Sequence, residues 1–309
     1  MKKDFLSLVD IDRHELEGIV SDAMRLKQMK SAGTVHEYLK GKSLGMIFEK
    51  ASTRTRVSFE VGMTDLGGHA LFLNPQDLQL GRGEEIRDTA RALARYVDAI
   101  MIRAYEHATI EGFAHHSTVP VINGLSNTLH PCQVLADIMT LRERFSDLQD
   151  LKLAWIGDGN NVCNSWVLSA ALTGMEVVVA SPPRYRPEES LVEQARAAGG
   201  RIRIVADPEE AAQDADVLYT DIWVSMGDEQ ERAERLQAFR GYTIDSRLLA
   251  RASPDAFVMH CLPAHRGEEI TDEVMEGPQS IIWDQAENRL HAQKALLVHL
   301  IAGGMPSLE

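Results

Sequence analysis

Short apolar runs alternate with longer stretches of helical periodicity along almost the whole chain. Ser43–Phe48, His69–Leu73, Ala99–Arg103 and Val119–Ile122 read as strands in the first half. Leu151–Ile156, Glu176–Ala180, Arg201–Val205, Val217–Thr220, Ala256–His260 and Ser280–Trp283 read as strands in the second. Helical patterns fill the gaps. One spans residues 4–40, with Asp12 to Glu15 as its cap and Gly33 as a stop, and the last runs from about Gln285 to Ala302. Such alternation is satisfied by parallel sheets with both faces covered, an α/β fold. A chain of 309 residues is long for one core. The polar segment Ser146–Leu151 breaks the alternation, which then restarts. Two consecutive α/β domains are expected, each with a central parallel sheet flanked by helices: residues 1–146 and 147–285. The last helix, about 286–309, is expected to fold back on the first domain.

The formal net charge of -14 argues against a general nucleic-acid or anionic-membrane binder, although a local basic site can sit in an acidic protein. No run reaches transmembrane length, and the N-terminus has no apolar targeting core. Cys132, Cys163 and Cys261 are widely spaced and form no C-x-x-C pair, which points to a reduced, cytoplasmic setting.

Ligands of open parallel sheets bind at the carboxyl ends of the strands. After the first strand comes Ser52-Thr53-Arg54-Thr55, three hydroxyls and a guanidinium at an expected helix N-terminus. Unpaired N–H groups and the helix dipole favour an anion there, and an Arg fork suits phosphate oxygens. One N-cap accounts for one hydroxyl and leaves the rest unexplained. The other strand-end positions in the first domain are Arg103 and His130-Pro131-Cys132-Gln133. In the second they are Asn160-Asn161, Asp221 to Gly227, His260 to Pro263 and Gln285 to Arg289. Cationic donors dominate the first group, so an anion is expected on that side, an organic co-substrate on the other, and the active site in the interdomain cleft.

Two other chemistries fit less well. Gly157-Asp158-Gly159 resembles the start of a dinucleotide turn, but Val162 holds the third glycine position and no acidic residue follows the next strand. A nicotinamide cofactor is therefore not expected. His260 beside Cys261 suggests a Cys–His nucleophile, yet neighbours on a strand point to opposite faces. The remaining histidines lack metal-ligand spacing, and no metal is expected. Arg56 and Glu60, four apart on a helix, read as a structural ion pair.

Taken together, Phe48 to Arg56, His130 to Gln133, Asp221 to Gly227, His260 to Pro263 and Gln285 to Arg289 resemble the motifs of the aspartate/ornithine carbamoyltransferase family, over essentially the whole chain. Ser225-Met226-Gly227 and His260-Cys261-Leu262-Pro263 point to its ornithine branch. The resemblance implies transfer of a carbamoyl group from carbamoyl phosphate to the δ-amine of L-ornithine, without metal or organic cofactor. It implies carbamoyl phosphate contacts at Ser52, Thr53, Arg54, Thr55, Gln79, Arg103, His130, Pro131, Cys132, Gln133, Cys261, Leu262 and Arg289. Arg103, His130 and Cys261 would be catalytic, though the middle position of His-Pro-x-Gln, here Cys132, is not expected to touch substrate. Ornithine would meet Asn161, Asp221, Ser225 and Met226. A homotrimer is implied as well, with Gln79 reaching a neighbour's phosphate site.

Overall fold

The computed structural model describes residues 2–224 and 229–305. Ser225 and Met226 lie outside the described residues. The chain divides into two compact units, Met1–Met139 with Glu287–Glu309, and Thr140–Ala286.

In the first unit, β1 (Ser43–Phe48), β2 (His69–Leu73), β3 (Ala99–Arg103) and β4 (Val121–Leu125) form a parallel sheet in the order β2-β1-β3-β4. Apart from half-buried Ser43 at the start of β1, the residues of β1, β3 and β4 are buried, as continuous apolar runs require, while edge strand β2 is half exposed. Ile47, Ile100, Ile102, Ile110 and Phe113 anchor one core of this unit.

In the second unit, β5 (Lys152–Ile156), β6 (Glu176–Ala180), β7 (Arg201–Val205), β8 (Val217–Thr220) and β9 (Phe257–His260) form a parallel sheet in the order β7-β6-β5-β8-β9. Its core includes Ile156, Val178, Trp223, Phe239 and Ile270.

The strand order reverses between β1 and β3 in one sheet and between β5 and β8 in the other. At such a switch point successive helices leave on opposite faces and open a crevice beyond the strand ends. Register places Phe48 opposite Arg103, so the turn after β1 and the end of β3 emerge side by side.

Local sequence sets the helix starts. Asp12 caps the helix Arg13–Ser31 in a reciprocal box with Glu15. Ser52, in extended backbone, caps the helix Thr53–Asp65 by accepting from the Thr55 N–H at 3.2 Å. Pro131 opens the helix Pro131–Arg142, where its missing N–H costs no intrahelical bond.

One expected strand is absent. Around Ser280 only a single bridge to Val258 forms, and the last helix already begins at Ile282, running to Ala302. A short apolar run before a long helix cannot be told from that helix's first turn by periodicity. The residues Gln285 to Arg289 are therefore helical rather than a loop after a strand. The Gly157–Gly159 turn also has a packing explanation. A Cβ on Gly159 would lie 2.1 Å from the Pro187 backbone nitrogen, so close chain approach accounts for the glycine.

Candidate active site

The first unit gathers its site residues around the N-termini of two helices. Ser52 is half buried and engaged as the cap, whereas Thr53 and Arg54 are exposed. Thr55 is 1% exposed and turns inward. Its Oγ1 accepts from Arg289 Nη2 at 3.1 Å, and Arg289 Nη1 donates to Gln133 Oε1 at 2.5 Å. Gln133 in turn donates from Nε2 to Asp137 Oδ1 at 2.8 Å. Arg289 thus joins Thr55, on the first helix, to Gln133, on the second.

Arg103 and His130 are buried in the same unit. Burial, followed by the positive charges of Arg289, Arg103 and Arg54, holds the His130 pKa well below the ordinary imidazole value. A neutral imidazole can donate one ring hydrogen and accept at the other nitrogen. The arrangement is an electropositive cradle with a neutral hydrogen-bonding ring, suited to a phosphate and a carbonyl-type oxygen.

Cys132 behaves differently. Its fully buried thiol donates to the Asn123 carbonyl at 3.3 Å, and burial pushes its pKa up to about 12 although Arg289 draws it down. The side chain is a packed thiol, leaving only its backbone for a ligand. Gln79 stands exposed on a short turn, Gln79–Arg82. Arg56 pairs with Glu60 at 2.9 Å and stacks over Phe72 at 3.9 Å, a structural arrangement.

Lys50 was not singled out from sequence, yet it is buried, 2.5 Å from Asn127 Oδ1 and 4.4 Å from the Tyr105 ring centroid. A lysine in a loop gives no sequence signal of burial. Gln293 is a second such residue. It lies four positions after Arg289, wholly buried.

In the second unit, Asn161 opens the helix Asn161–Thr173 and Asp221 follows β8. Asn160 connects them. Its Oδ1 accepts from the N–H groups of Val162 and Cys163 at 3.0 and 3.2 Å, and its Nδ2 donates to Asp221 Oδ2 at 2.7 Å. The other Asp221 oxygen accepts from the Ile222 N–H at 2.8 Å. Asn160 therefore fixes the carboxylate while capping the helix. Arg235, unmarked in the sequence, bonds Asp158 at 3.1 Å and the Trp223 carbonyl at 3.1 Å, and covers the Tyr185 ring at 4.8 Å.

His260 ends β9, and Cys261 has left the strand. The opposite-face expectation therefore stops applying at this pair: one ligand atom each of Asp221, His260 and Cys261 lie within 4.8 Å of one another. Both His260 ring nitrogens are engaged, however. Nδ1 accepts from the Leu262 N–H at 2.9 Å, so the neutral ring carries its hydrogen on Nε2 and donates to Glu269 at 3.0 Å. That leaves no ring nitrogen to deprotonate Cys261. Leu262 has a φ of 59°, a conformation rare for a branched residue, held by this contact and the following turn. Asp221, His260 and Cys261 could offer ligands to a metal ion, as could His265, Glu268 and Glu269. Among the described residues no helix is long and apolar enough to cross a membrane.

Comparison with known proteins identifies the family over most of the chain. Residues 3–143 match the aspartate/ornithine carbamoyltransferase carbamoyl-P binding domain, and residues 149–300 match the Asp/Orn binding domain of the same family. A curated relative from Methanoculleus marisnigri, described as an ornithine carbamoyltransferase, is 81% identical over 309 residues, covering 100% of both chains. The solved ornithine carbamoyltransferase of Pyrococcus furiosus superposes with a TM-score of 0.93 at 51% identity, over 99% of this chain and 98% of that one. An anabolic ornithine carbamoyltransferase from Campylobacter jejuni gives a TM-score of 0.91 at 43% identity, over 97% and 99%.

Proposed function

The chain belongs to the aspartate/ornithine carbamoyltransferase family, and from this we propose that it transfers the carbamoyl group of carbamoyl phosphate to the δ-amine of L-ornithine, giving L-citrulline and phosphate. The observation that carries this assignment is the linked set Thr55, Arg289 and Gln133, with buried Arg103 and neutral His130 in the same unit. Ser52, Thr53, Arg54 and Thr55 hold the phosphate at the helix N-terminus. Arg103, His130 and Gln133 polarise the carbamoyl oxygen and stabilise the oxyanion of the tetrahedral intermediate. Pro131 and the Cys132 backbone belong to the same helix start. The phosphate is the leaving group, so the carbamoyl carbon arrives activated.

The second unit supplies the amine side. Asp221, held by Asn160, pairs with the α-amino group and Asn161 with the α-carboxylate. Ser225 and Met226 complete this set. Cys261 and Leu262 face the carbamoyl group and the attacking amine. An ornithine δ-amine, with a pKa of about 10 by analogy with lysine, must lose its proton before attack. Cations nearby lower that pKa.

A homotrimer is the proposed assembly, with exposed Gln79 reaching a neighbouring copy. The proposed setting is cytoplasmic, supported by the thiols of Cys132, Cys163 and Cys261, which are not joined in disulfides. The biosynthetic direction is supported by the likeness to the anabolic relative.

A panel of amines assayed with carbamoyl phosphate tests the substrate. Ornithine should turn over far faster than putrescine, N-acetylornithine or aspartate. Equal or faster turnover of putrescine would overturn the ornithine assignment.

A further inference from the structure

We infer that Gln293 is a positioning residue for the carbamoyl phosphate side, gripping the Arg289 guanidinium and tying it to the first turn of the Thr53–Asp65 helix, an inference that rests on Arg289 being a ligand there. Gln293 lies one turn beyond Arg289 on the last helix and is 0% exposed. Its amide oxygen, turned to the guanidinium, accepts from Arg289 Nε at 3.2 Å and Nη2 at 3.0 Å. Its amide nitrogen donates to Ser58 Oγ at 2.5 Å and to the Arg289 carbonyl at 3.3 Å. The opposite amide orientation would set oxygen against acceptors and nitrogen against donors, so the partners select this one.

Ser58 passes the connection on. Its hydroxyl hydrogen goes to the Arg54 carbonyl at 2.7 Å, in the helical turn that bears the anion-binding hydroxyls. Guanidinium, amide, hydroxyl and backbone carbonyl form one chain of hydrogen bonds in which each group has a defined direction. The grip on Nε and Nη2 sets the plane of the guanidinium, from which Nη1 reaches Gln133 and Nη2 also reaches Thr55.

A neutral amide suits this place. A carboxylate would grip the guanidinium as firmly but cancel the charge that an incoming phosphate uses. An apolar side chain would leave buried N–H groups without an acceptor. Gln293 therefore orients Arg289 without neutralising it.

The test measures citrulline formation by the full chain, with carbamoyl phosphate and ornithine varied separately and inorganic phosphate as a competing probe. Gln293→Met should raise KM for carbamoyl phosphate and the inhibition constant for phosphate about tenfold, as expected for losing a hydrogen bond to a charged group. KM for ornithine should stay within about twofold, below one hydrogen bond's worth. Gln293→Glu, which sets a second oxygen against the Arg289 carbonyl and cancels the guanidinium charge, should raise the same two constants while KM for ornithine stays within about twofold, a split that a purely structural role does not produce. Ser58→Ala should give a smaller rise of the same sign, and it decides alone if Gln293→Met does not fold. Arg289→Met serves as the reference. If it raises KM for carbamoyl phosphate while the Gln293 and Ser58 variants do not, the positioning role is overturned and the site stands. If Arg289→Met leaves that KM unchanged, Arg289 is not a ligand and the positioning role falls with it.

Discussion

Lys294 Nζ lies 2.7 Å from His36 Nε2, with the lysine side chain fully buried. His36 Nδ1 faces the Thr34 carbonyl at 2.7 Å, which can only accept, so Nδ1 carries the hydrogen and Nε2 accepts from the ammonium. Asp65 Oδ2 sits 3.2 Å from the same Nζ and also pairs with Lys30 at 2.6 Å. Burial draws the Lys294 pKa down, against the pull of Asp65. Replacing Asp65 by Ala leaves a buried ammonium with only an imidazole, a change expected to cost about 3 kcal/mol. Urea unfolding should show this loss, and adding Lys294→Met should recover most of it. A parent-like midpoint for Asp65→Ala would contradict the buried pair.

Asp65 also sets an acid limit. Burial alone would raise its pKa, but Lys30 and Lys294 outweigh it and hold the carboxyl below its ordinary value. A carboxylate with a lowered folded pKa stabilises the protein above the unfolded value of about 4, and that contribution disappears as pH falls through the folded value. Asp65→Asn should therefore be less stable than the parent at pH 7 and converge with it in acid. Parallel stability curves down to pH 2 or so would refute the linkage.

His130 predicts a second pH dependence of different origin. Burial and then Arg289, Arg103 and Arg54 keep its ring neutral, whereas the unfolded ring titrates near 6.5. Between the folded and unfolded values the unfolded chain binds the extra proton, so stability rises with pH and falls below about 6.5. The parent should lose stability faster than His130→Asn between pH 7 and pH 5, by up to about 1.4 kcal/mol per pH unit. Equal slopes would mean the ring is not held neutral.

Arg54 is exposed, so removing it should leave the fold untouched. Arg54→Ala is expected to reduce kcat/KM for carbamoyl phosphate by about 100-fold or more, the effect of losing a charged donor to the reacting group. Circular dichroism and melting temperature should match the parent. Normal turnover would remove Arg54 from the phosphate site.

Asn160 has two separable duties, and two substitutions divide them. Asn160→Ala removes the helix cap, costing about 1 kcal/mol, and leaves Asp221 without its amide donor. Asn160→Asp keeps the cap but places a like charge 2.7 Å from where Asp221 Oδ2 accepts. Both should raise KM for ornithine with KM for carbamoyl phosphate unchanged, and the loss of thermal stability should persist in acid for the alanine variant but shrink for the aspartate variant as one carboxylate of the pair takes a proton. A rise confined to carbamoyl phosphate would reverse the assignment of the second unit.

The alternation of apolar runs and helical stretches was enough to read both sheets, because a fully buried parallel strand leaves a continuous apolar signature. Ser280–Trp283 misled because apolar residues leading into a helix carry the same short apolar signature. Ser52 to Thr55 stood out through composition, three hydroxyls beside a guanidinium. Lys50, Arg235 and Gln293 did not stand out, since their importance lies in partners that are distant in sequence or belong to no motif, and Asn160 stood out only by its place at a strand end, not by its hold on Asp221. Lys50 finds Asn127, and Arg235 finds Asp158, only after folding. The Gly157–Gly159 pair shows the converse, a suggestive spacing explained at Gly159 by the approach of Pro187 and at Gly157 by a backbone φ of 137°.

The first unit is built from Met1–Met139 and Glu287–Glu309, and its Arg289 comes from the later segment. The guanidinium that bonds Thr55 lies 234 residues further along the chain. If Arg289 is a phosphate ligand as proposed, a chain lacking the later segment would carry an unfinished cradle however well its earlier part had folded. On that reading the cradle is complete only when both segments of the first unit have come together.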